Sequence, residues 1–301
     1  MSRSVRDLRV ADLAAWPLPD AAGGKEARGR VVVVGGSRRT PGAVLLAAEA
    51  AVRAGAGKPQ VATVESVAVA VSVALPEALV TDLHETGDGE IATKAADQVL
   101  DLAAGCDSVL IGPGLLSPEA ACDLLEALVT RLDCPLVLDA LAMAYLTEHP
   151  DGVAHLAGRV VLTPNDSELA ETLGIDEAEV AKRAAECCAE LADRCGATVV
   201  AGGETTYIAA PGAQIVWAHE GVPGLGVAGS GDVKAGIVAG LLARGVPPEG
   251  AAAWAVMLHS SAGRAVSAHE APLGFLAREV LPWIPRVMAE LSTGAVDSST
   301  H

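Results

Sequence analysis

Four consecutive valines, Val31 to Val34, run into Gly35-Gly36-Ser37 and then an Ala-rich stretch from Gly42 to Ala54 with apolar residues at helical spacing. A β-branched run without polar alternation fits a strand buried on both faces, and a helix directly after it makes a βα unit. The pattern repeats. Apolar strands are expected near Gln60 to Thr63, Ser108 to Ile111, Leu136 to Asp139, Val160 to Thr163 and Thr198 to Ala201, mostly separated by helical stretches such as Pro118 to Arg131 and Glu179 to Arg194. This alternation predicts an α/β fold, a mainly parallel central sheet with helices on both faces.

Two shorter segments, Thr206 to Ala209 and Gln214 to Ala218, flank Ala210-Pro211-Gly212 and predict a hairpin at a sheet edge. The last third reads as helical over Val233 to Arg244, Pro248 to Ser267 and Leu273 to Leu291. Residues 1–28 mix charge with Pro and Gly without sustained periodicity and are expected to form an arm. Residues 29–292 are expected to form one domain, and the polar residues 293–301 a frayed tail.

Composition excludes whole classes of function. Lys+Arg 21 against Asp+Glu 38 gives a net charge of −17, a surface that repels phosphate backbones and anionic lipid heads. Nucleic acid and membrane are therefore unexpected partners. The N-terminus lacks an apolar run of signal-peptide length, and no apolar run in the chain reaches membrane-spanning length, so a cytoplasmic location is expected. The six cysteines show no CxxC spacing and no His at a zinc-finger interval, so they read as small core residues in a reducing compartment rather than as zinc ligands.

In a parallel α/β sheet ligands bind beyond the carboxyl ends of the strands. Gly229-Ser230-Gly231-Asp232 opens a strongly apolar helix there, where free backbone N–H groups attract phosphate and stabilise a transferring phosphoryl group. A carboxylate in that first turn, Asp232, can accept the proton of an attacking hydroxyl. The plain alternative is a helix cap at Ser230 or Asp232. The remaining strand-end loops are Gly35 to Ala43 with Arg38 and Arg39, Gly112-Pro113-Gly114, the Asn165 to Glu168 segment that resembles a capping box, and the turn Gly202-Gly203-Glu204-Thr205-Thr206. Asp139 ends a strand, and His259 lies within an apolar helix, where a structural role is the default reading. The Gly224 to Gly229 spacing satisfies GxGxxG without the leading strand of a dinucleotide fingerprint, and no P-loop pattern exists.

In order along the chain, GGSRRTPGA, IGPGL, VLDALAM, LTPNDSELAETLG, GGETTYIAAPG, GSGDVKAGIVAGLLARG and LHSSAGRAV resemble the ADP/ATP-dependent NAD(P)H-hydrate dehydratase family, a branch of the ribokinase-like fold. The resemblance runs from about Arg30 to Leu291. It implies a three-layer ribokinase-like sandwich and a metabolite-repair enzyme. Such an enzyme uses ADP or ATP, with Mg²⁺, to return the S-epimer of hydrated NADH or NADPH to the reduced cofactor through a phosphorylated intermediate. By the same resemblance Asp232 is the base, and Gly229 and Gly231 hold the transferring group. Ala43, Gly114, Asn165 and Asp232 line the hydrated dinucleotide site; Gly202 to Thr206, Ser230 and Gly231 contact the adenine nucleotide; the assembly is a tetramer.

The chain departs from the family pattern at several positions. Asn165 stands in place of His, Ser167 in place of Gly, Leu141 in place of a carboxylate, Gly202 in place of Lys and Lys234 in place of Leu. A ribokinase-like kinase acting on a hydroxymethylpyrimidine or thiazole alcohol, and a nucleotide-binding protein without catalysis, are the competing readings.

Overall fold

The computed structural model describes residues 3–20, 22–156 and 158–293. Its strands are β1 (Ser4–Asp7), β2 (Arg30–Val34), β3 (Lys58–Val64), β4 (Leu79–Leu83), β5 (Ser108–Ile111), β6 (Leu136–Leu138), β7 (Val160–Leu162), β8 (Thr198–Ala201), β9 (Thr205–Ala209) and β10 (Ile215–Glu220). The helices of the first half are α1 (Gly24–Ala27), α2 (Pro41–Arg53), α3 (Glu65–Ala74), α4 (Ala96–Ala103), α5 (Pro118–Leu128) and α6 (Ala144–Glu148). Those of the second half are α7 (Asp166–Leu173), α8 (Glu177–Cys195), α9 (Ser230–Ala243), α10 (Pro248–His269), α11 (Ala277–Val280) and α12 (Ile284–Ser292).

The strands form one sheet in the order β1-β10-β9-β8-β7-β6-β5-β2-β3-β4, and β9 alone among the described strands runs antiparallel to its neighbours. The valine run does what its composition requires. Val31 and Val33 face a core shared with α2, α9, α10 and α12, while Val32 and Val34 face one shared with α4 to α8, and all four are fully buried. The result is the ribokinase-like three-layer arrangement, with helices on both faces of a mostly parallel sheet. All six cysteines are free and buried.

Three expectations need correction. Among the described residues, the segment before β2 that was expected to form an arm, 1–28, packs on the body: β1 pairs in parallel with β10, and Leu8 and Leu13 are buried in the core. The Trp254 indole N–H donates to the Trp16 carbonyl at 2.7 Å, and Trp16 meets Trp217 edge to face at 6.1 Å. Because β1 docks beyond β10, the β9–β10 hairpin lies one strand inside the sheet rather than at its edge. The expected helix from Leu273 to Leu291 is broken into α11, a 3₁₀ turn at Leu281–Trp283 and α12, since Pro282 and Pro285 lack the N–H a continuous helix needs. The expected tail, 293–301, lies outside the described residues beyond Thr293.

The strand order reverses between β2 and β5: β3 and β4 extend to one side, and β6 to β8 continue on the other. Loops leaving β2 and β5 therefore part at this point and leave a crevice at their carboxyl ends. Gly35 and Gly36 sit against the Gly112–Gly114 loop so closely that a Cβ at Gly35 would lie 2.2 Å from the Pro113 carbonyl oxygen. The Gly36 N–H donates to that same oxygen at 2.7 Å.

Candidate active site

The site begins at the amino end of α9. Gly229 is the residue before the first turn, in the left-handed region at φ 88°, and no side chain caps the helix. The plain capping reading of Ser230 and Asp232 is therefore not what the chain adopts. The helix start keeps its exposed backbone donors and its positive dipole end. A Cβ at Gly231 would meet nothing within 4 Å, so the space above these amides is open. At Gly229 a Cβ would strike the Leu46 side chain at 2.5 Å, which adds a packing reason for glycine to the conformational one.

Ser230 is buried, and its hydroxyl lies 3.0 Å from His259 Nε2 on α10. Burial, together with the charge of Lys234, pushes His259 down to about 3 and keeps it neutral. His259 thus ties the first turn of α9 to α10, a structural role in support of the site. Asp232 is pushed up to about 7, mainly by burial and then by the charges of Asp139 and Glu168. A carboxyl so poised changes protonation near neutrality, the range in which a general base is most useful.

Asp139 follows β6, is buried, and accepts the Thr163 hydroxyl at 2.6 Å. Burial raises its pKa above the ordinary carboxylate value. The next residue, Ala140, has φ 52°, a strained conformation for a side chain with a Cβ. The β5 loop presses on the same turn, since a Cβ at Gly112 would lie 1.8 Å from the Asp139 carbonyl oxygen.

Beyond β7 the expected capping box is present. The Glu168 N–H donates to Asn165 Oδ1 at 2.8 Å, and the Asn165 N–H donates to Glu168 Oε2 at 2.9 Å. Burial pushes Glu168 up to about 7, with Asp139 adding to the rise. Asp166 Oδ1 is buried without a hydrogen-bond partner. Lys234 lies within the fields of Asp139, Glu168 and Asp166, and its own pKa is lowered, chiefly by burial.

The sequence-predicted residues fall into two groups with this acidic centre between them. On the β2–β5 side, Gly114 and Ala43 adjoin: a Cβ at Gly114, where φ is 77°, would lie 3.1 Å from Ala43 Cβ. Thr40 links the two loops, its hydroxyl donating to the Gly114 carbonyl at 2.7 Å while accepting from Ser37 at 2.7 Å. Arg38 is turned away and paired with Glu85 at 2.5 Å. On the other side, Gly202 to Glu204 form the β8–β9 turn, and Thr205 and Thr206 open β9. Gly202 has φ 118°, and a Cβ at Gly203 would be 3.6 Å from Asp166 Oδ2. Four strand spacings separate β2 from β8, roughly 19 Å.

Sequence reasoning did not single out Asp166, Glu168 or Ala140 as members of the site. Glu168 carried a visible signal in its capping motif, but its second position, beside Asp139 and Asp232, follows from strand order.

These features define a ribokinase-like fold with an uncapped, open helix start at α9. A ribokinase-like superfamily protein from Enterococcus faecalis superposes with TM-score 0.80 over 95% of this chain and 96% of that one, at 24% identity. The chain belongs to the NAD(P)H-hydrate dehydratase family, whose model matches residues 31–286. It is 43% identical over 292 residues to the ADP-dependent (S)-NAD(P)H-hydrate dehydratase of Xanthomonas campestris, covering 96% of this chain and 98% of the relative. The ADP/ATP-dependent NAD(P)H-hydrate dehydratase of Bacillus subtilis, co-crystallised with ATP and Mg²⁺, superposes with TM-score 0.77 at 28% identity, covering 97% of this chain and 99% of that one. The chain also matches bifunctional NAD(P)H-hydrate repair enzymes and spans about half their length, 53% in the case of Moorella thermoacetica.

Proposed function

We propose that this chain dehydrates the S-epimer of hydrated NADH or NADPH at the expense of an adenine nucleotide, with ADP as the working donor. The observation that carries the reading is the uncapped start of α9 with Asp232, poised near neutrality, in its first turn. Hydroxide leaves poorly, so the ring hydroxyl is first made into a better leaving group. Asp232 takes the hydroxyl proton as the oxygen attacks the terminal phosphorus, and the bond to the nucleotide leaving oxygen breaks. The amides of Gly229 to Gly231 hold the charge that develops on the transferring group. The ring nitrogen lone pair then expels phosphate, and loss of a ring proton restores the dihydronicotinamide.

The hydrated ring and its dinucleotide occupy the Ala43, Gly114, Asn165 and Asp232 side. The adenine nucleotide occupies the Gly202 to Thr206 turn and the Ser230-Gly231 start of α9. Lys234 supplies a cation to this side, where Gly202 offers none.

The acidic centre also fits a hard divalent cation: Asp139, Asp166 and Glu168 are oxygen donors, and Asp166 Oδ1 is buried without a partner. These three residues would hold Mg²⁺, which supplies charge neutralisation to the nucleotide phosphates when bound. Among the described residues no helix is long and apolar enough to cross a membrane; the location proposed for the reaction is the cytoplasm. We also propose a homotetramer; Val69 and Val73 on α3, each 78% exposed, offer apolar surface for such an assembly, and light scattering of the purified chain measures it.

The experiment is recovery of reduced-nicotinamide absorbance from purified S-hydrated NADH with Mg²⁺ and ADP or ATP. Recovery that requires nucleotide and is lost in Asp232→Asn is expected. A stable phosphorylated product without recovery would instead identify a small-molecule kinase. Nucleotide binding with no turnover at all would identify a silent binder.

A further inference from the structure

On the opposite face of the sheet from α9, four side chains of mixed chemistry converge between two helices. Cys122 and Glu126 lie four residues apart on α5 and so share one face of it. Glu148 is the last residue of α6, and His149 is its C-cap. One donor atom from each, a thiol sulfur, two carboxylate oxygens and an imidazole nitrogen, lie within 4.8 Å of one another. His149 Nε2 and Glu126 Oε1 are 2.8 Å apart, and the Tyr145 ring packs against the imidazole with centroids 4.9 Å apart. The cysteine forms the buried floor of the cluster, and the other three residues open toward solvent.

We propose that Cys122, Glu126, Glu148 and His149 form a structural site for a borderline-soft divalent metal ion, with Zn²⁺ as the fitting ion. The argument is first one of ligand number and kind. Zinc takes four donors drawn from thiolate, imidazole and carboxylate, and a site closed by four protein ligands is structural rather than catalytic. Hard ions such as Mg²⁺ and Ca²⁺ favour all-oxygen sets, so thiolate and imidazole select against them. The argument is also one of distance. Zinc bonds of about 2.0–2.3 Å place tetrahedral donors roughly 3.4–3.8 Å apart, so the widest pair must close by about 1 Å, within reach of side-chain rotation.

Binding is proton-balanced. The Cys122 S–H proton leaves to solvent as the metal–sulfur bond forms. His149 binds through the Nε2 lone pair in its Nδ1–H tautomer, giving up the hydrogen bond to Glu126. The ion would bolt α6 to α5. Because α6 follows directly on the Ala140–Met143 turn, it would also stiffen the strained segment that begins at Asp139.

The test is titration of the chelator-treated full chain with Co²⁺, without nucleotide or Mg²⁺, followed by competition with Zn²⁺. One equivalent should give intense tetrahedral visible absorption and a thiolate-to-cobalt charge-transfer band, both abolished by Zn²⁺. Cys122→Ser should lose the charge-transfer band. His149→Gln should weaken binding by more than the about 10–100-fold that loss of an outer-shell partner costs. Zn²⁺ should raise the melting temperature of the native chain but not of His149→Gln. Should Cys122→Ser fail to fold, Glu148→Gln and His149→Gln, both at accessible positions, carry the same test. Weak octahedral absorption alone would place the ion on the oxygen ligands of the active site and overturn the proposal, as would a thiolate band that survives Cys122→Ser.

Discussion

Gly236→Ala tests how the two helices that start at the active site are held together. Gly236 and Gly240 on α9 face Ala47 and Ala51 on α2, a seam of small residues in which backbone meets backbone. A Cβ at Gly236 would lie 2.2 Å from the Ala47 carbonyl oxygen and 2.8 Å from Ala47 Cα; at Gly240 it would lie 2.4 Å from the Ala51 oxygen. The obstructing atoms are main chain in the middle of a helix, so no rotamer change relieves them and the helices must part by about 1 Å. Overpacking of this kind costs about 1–3 kcal/mol, and a backbone obstacle places it near the upper end. The better helix propensity of Ala returns about 1 kcal/mol, leaving a net loss of about 2 kcal/mol. At about 2 °C per kcal/mol for a chain of this size, the melting temperature should fall by about 4 °C in a calorimetric or circular-dichroism melt. The displacement also separates Gly42-Ala43 at the start of α2 from Gly229 to Asp232 at the start of α9, and a shift of about 1 Å can cost about 100-fold in kcat/KM. Gly42→Ala is the stability control, because a Cβ there meets nothing within 4 Å. A Gly236→Ala protein that melts at or above the native temperature with unchanged kcat/KM would refute the backbone-contact argument.

Asp232→Asn should lower kcat by about 10²–10⁴-fold, read as nucleotide-dependent recovery of reduced cofactor. In the native enzyme kcat/KM should rise with pH and level off above about 7, as Asp232 ionises; a plateau extending down to pH 5 would contradict its role. The fold raises this carboxyl above its unfolded value near 3.8, so its ionisation destabilises the native state progressively as pH rises from about 4 through 7. Asp232→Asn should therefore be more stable than the native chain at pH 8 and little different at pH 4, by urea unfolding. Lys234→Met removes the cation facing Asp139, Glu168 and Asp166, and should raise the KM for nucleotide by about 10-fold, equivalent to ~1.4 kcal/mol. An unchanged KM would show that Lys234 serves only to balance those carboxylates.

The sheet's centre was legible because it obeys one rule. Val31 to Val34, Ser108 to Ile111 and Thr198 to Ala201 are buried on both sides, and such strands are apolar nearly throughout, with buried Ser108 and Thr198 as the exceptions. The Asn165–Glu168 box was legible for a local reason, since both bonds close within one helical turn. The rims were not. All four residues of β1 are exposed, and β4 buries only Leu83, so neither carries an apolar alternation to read. The Leu273 to Leu291 stretch kept helical spacing across two prolines, and there missing backbone donors outweighed side-chain periodicity. The helix start at Gly229 to Asp232 could be read from the chain. The convergence of Asp139, Asp166 and Glu168 on it could not, because it depends on β6 and β7 lying side by side, a fact of sheet order rather than of local sequence.

The outermost strand has a temporal consequence. β1 hydrogen-bonds to β10, more than 200 residues later in the chain, so Ser4 to Asp7 leave the ribosome long before their partner and can pair only once β10 has been made. Closing so long a loop costs little more entropy than closing one half its length, about 0.6 kcal/mol per doubling, but it cannot happen early. With exposed side chains and a single neighbouring strand, β1 is held by its ladder, by the Leu8–Leu13 anchor after it and by Arg3 before it, which pairs with Asp193 on α8 at 2.5 Å. Its amides should exchange with solvent well before those of β2 and β5, which makes it the first part of the sheet to open and the last to close.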